Sequence, residues 1–469
     1  MVADAGLDGL ARAYVGLALR LDRVVPGVLD AHLGDPAEVR RVAAEPTPQP
    51  ADLAREADRL RAALPATDGT ATDGTVTDGT VTDGKATDGT AARVAFLDAQ
   101  LRACRVLADG ADGRDLGFVG EVEQCFGVRV SRGEPDRYRE AHRDLDALLA
   151  GPGELSDRLA AFRDRDRLPS EHLPAALSAA VRALRERTAA AVGLPPGEDV
   201  TLEVVEEAPW SGFSRWVGPL RSAIAVNGGF EHRVTHLPLL VAHEAYPGHH
   251  TEHCRIATDP GGPRPERQVF LARTPQSLVA EGAAELGLEA VVGPGWGRWN
   301  AEVLAAAGVP ADPERGAVGE ALEAVMTRLA PVRQDAALML HDEHRSADEV
   351  VGHLRRWLLV DETRARRMLE FLSHPRWRTH TTTYVEGARL LRPWLRGSGR
   401  GEGAVAPDGD VPRAVVTARL ARVLDEPPTP ASLRAGSPTS TPSREVGRAV
   451  RAPSLRRTVV ADRVSCGER

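Results

Sequence analysis

The sequence predicts a mainly α-helical fold, on three observations. The composition leans on Ala, Leu, Arg and Glu, which favour helix, and only 4% of residues are aromatic. Apolar residues recur at helical spacing over most of the chain. Strand-like alternation is concentrated in one stretch, residues 200–227. With 469 residues, 42% of them hydrophobic, the chain can build one large unit with a sizeable core and carry appendages.

Residues 1–64 read as an N-terminal helical segment of that unit, since Leu7, Leu10, Ala11, Tyr14, Leu17, Ala18 and Leu21 follow helical spacing. Residues 65–91 carry a Thr-Asp-Gly unit repeated every five residues, with aspartates at 68, 73, 78, 83 and 88. Glycine breaks helix in each unit and almost nothing bulky is available to bury, so this segment is expected to be a disordered linker. Residues 92–395 form the main domain. Its helical patterning runs from Ala92 to about Val192 with an interruption near Gly151–Gly153. Val200–Glu206 then alternates, and Arg221–Asn227 follows after a Gly- and Trp-bearing connection. Trp210, Phe213 and Trp216 in this region read as core packing rather than as pocket aromatics. No aromatic residue follows Trp394, and Gly, Pro, Ser, Thr and Arg dominate 396–469. Most of that tail is expected to be disordered, although Val411–Leu424 could form a short docked helix.

Chemistry concentrates in His243-Glu244-Ala245-Tyr246-Pro247-Gly248-His249-His250. Zinc is bound by neutral imidazole nitrogens and carboxylate oxygens, and a catalytic site leaves one position open for water. The His243–Glu244 pair offers a ligand and, beside it, a carboxylate able to take a proton from that water. His249 follows His243 by six residues, which on an ideal helix is roughly 9 Å of rise and roughly 240° of rotation, too far to share an ion. Pro247 cannot donate to the His243 carbonyl and clashes with it, so the helix must kink or bulge there, and Gly248 tolerates the result. His250 has the better phase, within roughly 20° of His243, but lies roughly 10 Å along the axis. A bulge at Pro247 repairs the shorter offset more easily, which favours His249 and leaves His250 beside the ligands or facing the cleft. Leu237, Leu239, Leu240 and Val241 lead into the motif as an apolar run, so this helix is buried; unpaired Glu and His there would be costly without a partner charge.

A third ligand is expected on a separate helix. Thr274 suits an N-cap and Pro275 the first helical position, which places Glu281 and Glu285 one turn apart on one face. Glu281 reads as the ligand and Glu285 as acceptor for a ligand imidazole. Gly282, Ala283 and Ala284 are small enough to let a second helix approach closely.

The HEAYPGHH run followed by the Glu281-Gly282-Ala283-Ala284 helix resembles the bacterial family catalogued as domain of unknown function 885. That family is grouped with the gluzincin metallopeptidases, which hold zinc with two histidines and a glutamate. The resemblance is carried by residues 200–290 and extends over roughly 92–395. It implies a gluzincin-like helical fold with a small antiparallel β-sheet before the zinc helix, residues 200–227 serving as a shelf for extended substrate. It implies His243, His249 and Glu281 as zinc ligands and Glu244 as the base that activates a zinc-bound water. Tyr384, in a Tyr-x-x-Gly element ending at Gly387, becomes a donor to the oxyanion. The expected function is zinc-dependent hydrolysis of peptide or amide bonds. The alternatives are a zinc amidohydrolase of a small metabolite and a non-catalytic helical metal-binding protein. Ala283 stands where the family often has an aromatic residue.

A net charge of −8 gives no general attraction to nucleic acid. No apolar run is long enough to span a bilayer, and the first residues lack a basic start followed by an apolar stretch. The four cysteines, Cys104, Cys125, Cys254 and Cys466, are widely spaced with no C-x-x-C, against a disulfide framework or a thiolate zinc site. The expectation is a cytoplasmic enzyme acting on a peptide or amide substrate, with no nucleic-acid or membrane partner and an oligomeric state left open.

Overall fold

The computed structural model describes residues 2–66, 84–206, 208, 210–259, 262, 264–397 and 411–435. It is mainly helical, as composition and periodicity predict. The N-terminal segment contains α1 (Val2–Asp22), the short strand β1 (Leu29–His32), α2 (Pro36–Ala43) and α3 (Pro50–Ala62). Helices α4 (Gly84–Ala111), α5 (Gly117–Phe126), α6 (Pro135–Leu148), α7 (Leu155–Arg165) and α8 (Leu173–Ala191) follow. Strands β2 (Asp199–Val205), β3 (Gly212–Gly218) and β4 (Arg221–Asn227) precede α9 (Leu237–Glu244) and α10 (His249–Ala257). Strand β5 (Val269–Leu271) leads into α11 (Pro275–Val291). The remaining helices are α12 (Trp296–Ala306), α13 (Pro313–Thr327), α14 (Pro331–His341), α15 (Ala347–Leu358), α16 (Glu362–Ser373), α17 (Thr381–Arg396), α18 (Arg413–Asp425) and α19 (Pro430–Arg434).

Local sequence sets many of these boundaries. Asp35, Thr274, Asp312, Ser346 and Asp361 each accept a backbone N–H at a helix start, satisfying a donor that has no partner within the helix. The α1 face predicted from spacing is core: Leu7, Ala11, Tyr14, Leu17, Ala18 and Leu21 are buried. They join Leu97, Leu101, Phe118, Phe126, Tyr138 and Trp357 in one apolar cluster. A second cluster gathers Leu184, Ile224, Leu237, Val279, Leu286, Leu304 and Leu391. Helix α11 serves both, with Leu278 in the first and Val279, Ala283 and Leu286 in the second. Every residue of α11 except Glu285 and Glu289 is buried.

Four local expectations change. Strand β1 interrupts the helical reading of residues 1–64 and pairs antiparallel with β5, Leu29 opposite Leu271; strands this short give no readable alternation. The expected linker at 65–91 gives way to helix from Gly84, continuous with the packed body of α4; propagation adds a hydrogen bond per residue without a new nucleus. Residues 67–83 of that segment lie outside the described residues. The connection between the two expected strands is itself β3, giving the order β2-β4-β3. Strand β2 therefore runs parallel to β4, and the antiparallel pair is β3 with β4, Phe213 opposite Ala225. Finally, in the tail expected to be largely disordered, the docked helix expected over Val411–Leu424 is present as α18, and α19 is added to it; they seat on the body through buried Leu420, Val423, Leu424 and Leu433. Asp425 at the end of α18 pairs with Arg255 of α10 at 2.8 Å. Aliphatic side chains at helical spacing supply the burial that the missing aromatics would have given. The rest of the tail lies outside the described residues.

Candidate metal centre

Helix α9 ends at Glu244 and α10 begins at His249, so the motif spans a break rather than a bulge within one helix. The Tyr246–Pro247 peptide is cis. Widened turns bridge the gap, with Gly248 N donating to Ala242 O at 2.8 Å and Thr251 N to Ala245 O at 3.2 Å. Gly248 is required by space: a Cβ there would lie 1.8 Å from the His243 carbonyl oxygen. The restart at His249 brings its Nε2 to 3.2 Å from His243 Nε2.

Helix α11 delivers the third group. Glu281 lies with Oε2 3.2 Å from His243 Nε2 and Oε1 3.6 Å from His249 Nε2. One ligand atom from each of the three lies within 4.8 Å of the others. Glu285, one turn on, sits 3.4 Å from His243 Nδ1, where the sequence placed an acceptor for a ligand imidazole. Helix α17 packs against α11 through Gly282 and Gly387; a Cβ on Gly282 would stand 2.4 Å from the Gly387 carbonyl carbon. That contact carries Tyr384 to the cluster, its ring centroid 5.9 Å from that of His243.

The charges fit a divalent cation. Burial works against ionising Glu281, but His249 and His243 outweigh it and hold the carboxylate down at about 2. Burial lowers His249 to about 4, leaving a neutral imidazole. Burial also opposes charge on His243, yet the Glu281 and Glu285 carboxylates raise it well above the usual histidine range. Glu281 Oε2 is buried and makes no hydrogen bond. An ionised carboxylate oxygen and two imidazole nitrogens facing one point are zinc donors of the expected types.

Glu244 is buried beside this cluster; burial raises its carboxyl to about 7, opposed by His243, reinforced by Glu281 and opposed by a backbone hydrogen bond from Ser214. His250 is not in the cluster. It turns into the interior, where Nδ1 meets Ser222 Oγ at 2.9 Å and Nε2 meets Glu198 Oε2 at 2.9 Å. Tyr246 donates to the same Glu198 oxygen at 2.5 Å. Neither a place against the ligands nor one in the cleft fits His250, because the break at 245–248 rotates the two neighbouring histidines to opposite sides. His253 is buried against Phe270 rather than on a solvated face.

A cleft of about 130 Å³ opens over the cluster, lined in part by Trp210, Phe213 and Ser214 around β3 and by Phe371, Trp377 and His380. Trp210 and Phe213 are thus pocket aromatics, whereas Trp216 packs edge-on against His253. Sequence reasoning missed His380 and Asp30. His380 Nε2 lies 2.9 Å from Tyr384 Oη and 3.9 Å from Glu281, and its spacing of four from Tyr384 was the available signal. Asp30 reaches the cleft from β1, far away in sequence, and nothing local marks it.

No protein-family model and no curated protein matches the sequence. Among solved structures the chain is similar to a "putative lipoprotein" from Colwellia psychrerythraea, with 15% identity, a TM-score of 0.42, and coverage of 80% of this chain and 66% of that one. It is also similar to one of unknown function, likewise named, from Shewanella oneidensis, with 13% identity, a TM-score of 0.45, and coverage of 85% and 75%. The chain spans just under two thirds of the length of the first. The cytoplasmic expectation is withdrawn here: both matched proteins are named putative lipoproteins. Among the described residues, no helix is long and apolar enough to cross a membrane.

Proposed function

We propose that the chain is a zinc-dependent hydrolase of peptide or amide bonds, of the gluzincin type that the HEAYPGHH motif resembles. One observation carries this reading: His243, His249 and Glu281 converge from three helices on one point, with a buried Glu281 oxygen left without a hydrogen bond. Zinc held by these three would supply Lewis acidity, polarising a carbonyl and acidifying water.

The chain's own groups supply the rest. Glu244, raised to about 7 by burial, suits a base that takes a proton from water near neutrality and returns it to the leaving amine. Burial and the charge of Glu281 keep Tyr384 well above its usual range, so its hydroxyl stays protonated. Held by His380 at 2.9 Å, that hydroxyl donates to the carbonyl oxygen as it gains charge. The aromatic walls around Trp210 and Trp377 exclude water and hold an apolar side chain.

Glu244→Gln tests the assignment. It should retain zinc and lose about a hundredfold or more of the hydrolysis of a peptide mixture, because the ligands survive and the base is gone. Turnover at the wild-type rate would remove Glu244 from the mechanism.

A further inference from the structure

We propose that the cleft selects substrates carrying a primary ammonium group beside an apolar side chain, and that Asp30 is the residue that recognises the ammonium. This rests on the hydrolase reading of the same site and names its substrate class.

Asp30 sits on β1, with its neighbour Ala31 turned into a small apolar cluster with Phe270. Asp30 is among the residues lining the cleft over the metal centre, and its side chain is exposed. Among the described residues it makes no hydrogen bond and no ion pair; the charges it feels, at longer range, are Glu281, Arg376 and Asp22. The residues lining the cleft include three carboxylates, Asp30, Glu244 and Glu281, and neither Lys nor Arg. A substrate carboxylate would therefore meet like charge here, while an ammonium would meet an unshared partner.

The walls favour the same ligand. Trp210 stacks on Phe213 at 5.7 Å between ring centroids, and Phe371 on Trp377 at 6.1 Å. Aromatic faces hold apolar groups and attract cations. The cleft offers about 130 Å³, close to the roughly 150 Å³ of a cavity that holds one benzene ring. It suits the side chain and amine of one residue. Asp30 is an exposed residue of β1 whose side chain is open to the cleft. An ammonium beside it would form a charge-assisted hydrogen bond.

The test needs no turnover. Zinc-loaded wild-type protein is titrated calorimetrically with 2-phenylethylamine and with 2-phenylethanol, which has the same ring but no charge. The amine should bind at least about tenfold more tightly, and Asp30→Asn should bring the two within about twofold. Comparison with n-butylamine assigns the source: tighter phenylethylamine means an N-terminal amine, tighter butylamine a lysine side chain, and either supports the ammonium site. Equal binding of amine and alcohol, no binding of either, or a preference that survives Asp30→Asn overturns the proposal. Should that variant fail to fold, Asp30→Ser takes its place, and the wild-type amine–alcohol ratio still decides whether the cleft selects a cation. Neither probe can be hydrolysed, so this result stands apart from the Glu244→Gln turnover test.

Discussion

His249 and His250 are neighbours with opposite fates, and the difference is set by the break at residues 245–248. His249 faces the cluster at 3.2 Å from His243, whereas His250 is buried in a network with Glu198, Ser222 and Tyr246. His250→Ala should therefore act on stability, lowering it by about 2–4 kcal/mol, because it leaves a buried carboxylate short of a partner. Chemical denaturation would measure this, and an unchanged midpoint would contradict it. The network also has a pH signature. Burial pushes Glu198 up, but hydrogen bonds from His250 and Tyr246 and the Arg185 guanidinium outweigh it and hold the group below its ordinary 4.5. A carboxylate depressed in the folded state contributes stability that is fully present above 4.5 and is lost as pH falls through the folded value. Glu198→Gln should flatten the decline in melting temperature below that pH. At this scale the sequence disclosed His243, Glu244 and His249 because they fall within one eight-residue stretch, and Glu281 because a helix start fixed its face. His380 and Asp30 stayed hidden, since only tertiary packing brings β1 and α17 to α9, α10 and α11.

Helix α11 is the element on which the site depends, placing Glu281 and Glu285 while packed on nearly every side. Its closest neighbour is α17, across the Gly282–Gly387 contact. Gly282→Ala would improve helix propensity by about 1 kcal/mol. The added methyl would stand 2.4 Å from backbone, however, forcing the helices apart. The clash should win, with a net loss of about 1–3 kcal/mol and weakened zinc retention as Glu281 shifts. A melting temperature at or above wild type, with full metal content, would show that the contact does not set the site. The start of α11 was legible in Thr274 and Pro275, and the small residues announced close packing. The strands were less so: β1 and β5 are too short to alternate, and β3 was masked by its glycines and aromatics. Helix α18 falls where a docked tail helix was expected, whereas α19 went unread because it is only five residues long and its burial rests on Pro430 and Leu433.

Across the whole molecule, two apolar clusters meet at α11 without any contribution from metal, so the scaffold should not need zinc to fold. Chelated protein should keep its helical circular dichroism and unfold cooperatively, at a somewhat lower temperature because ligand binding to the folded state is lost. Collapse of helicity on chelation would show instead that the metal is structural. The central claim is that His243, His249 and Glu281 form a zinc site, and elemental analysis of paired variants purified without chelator tests it most directly. Wild type and His250→Ala should each carry about one zinc per chain, and His249→Ala essentially none. A metal-free wild type, or zinc kept by His249→Ala and lost by a folded His250→Ala, would contradict it.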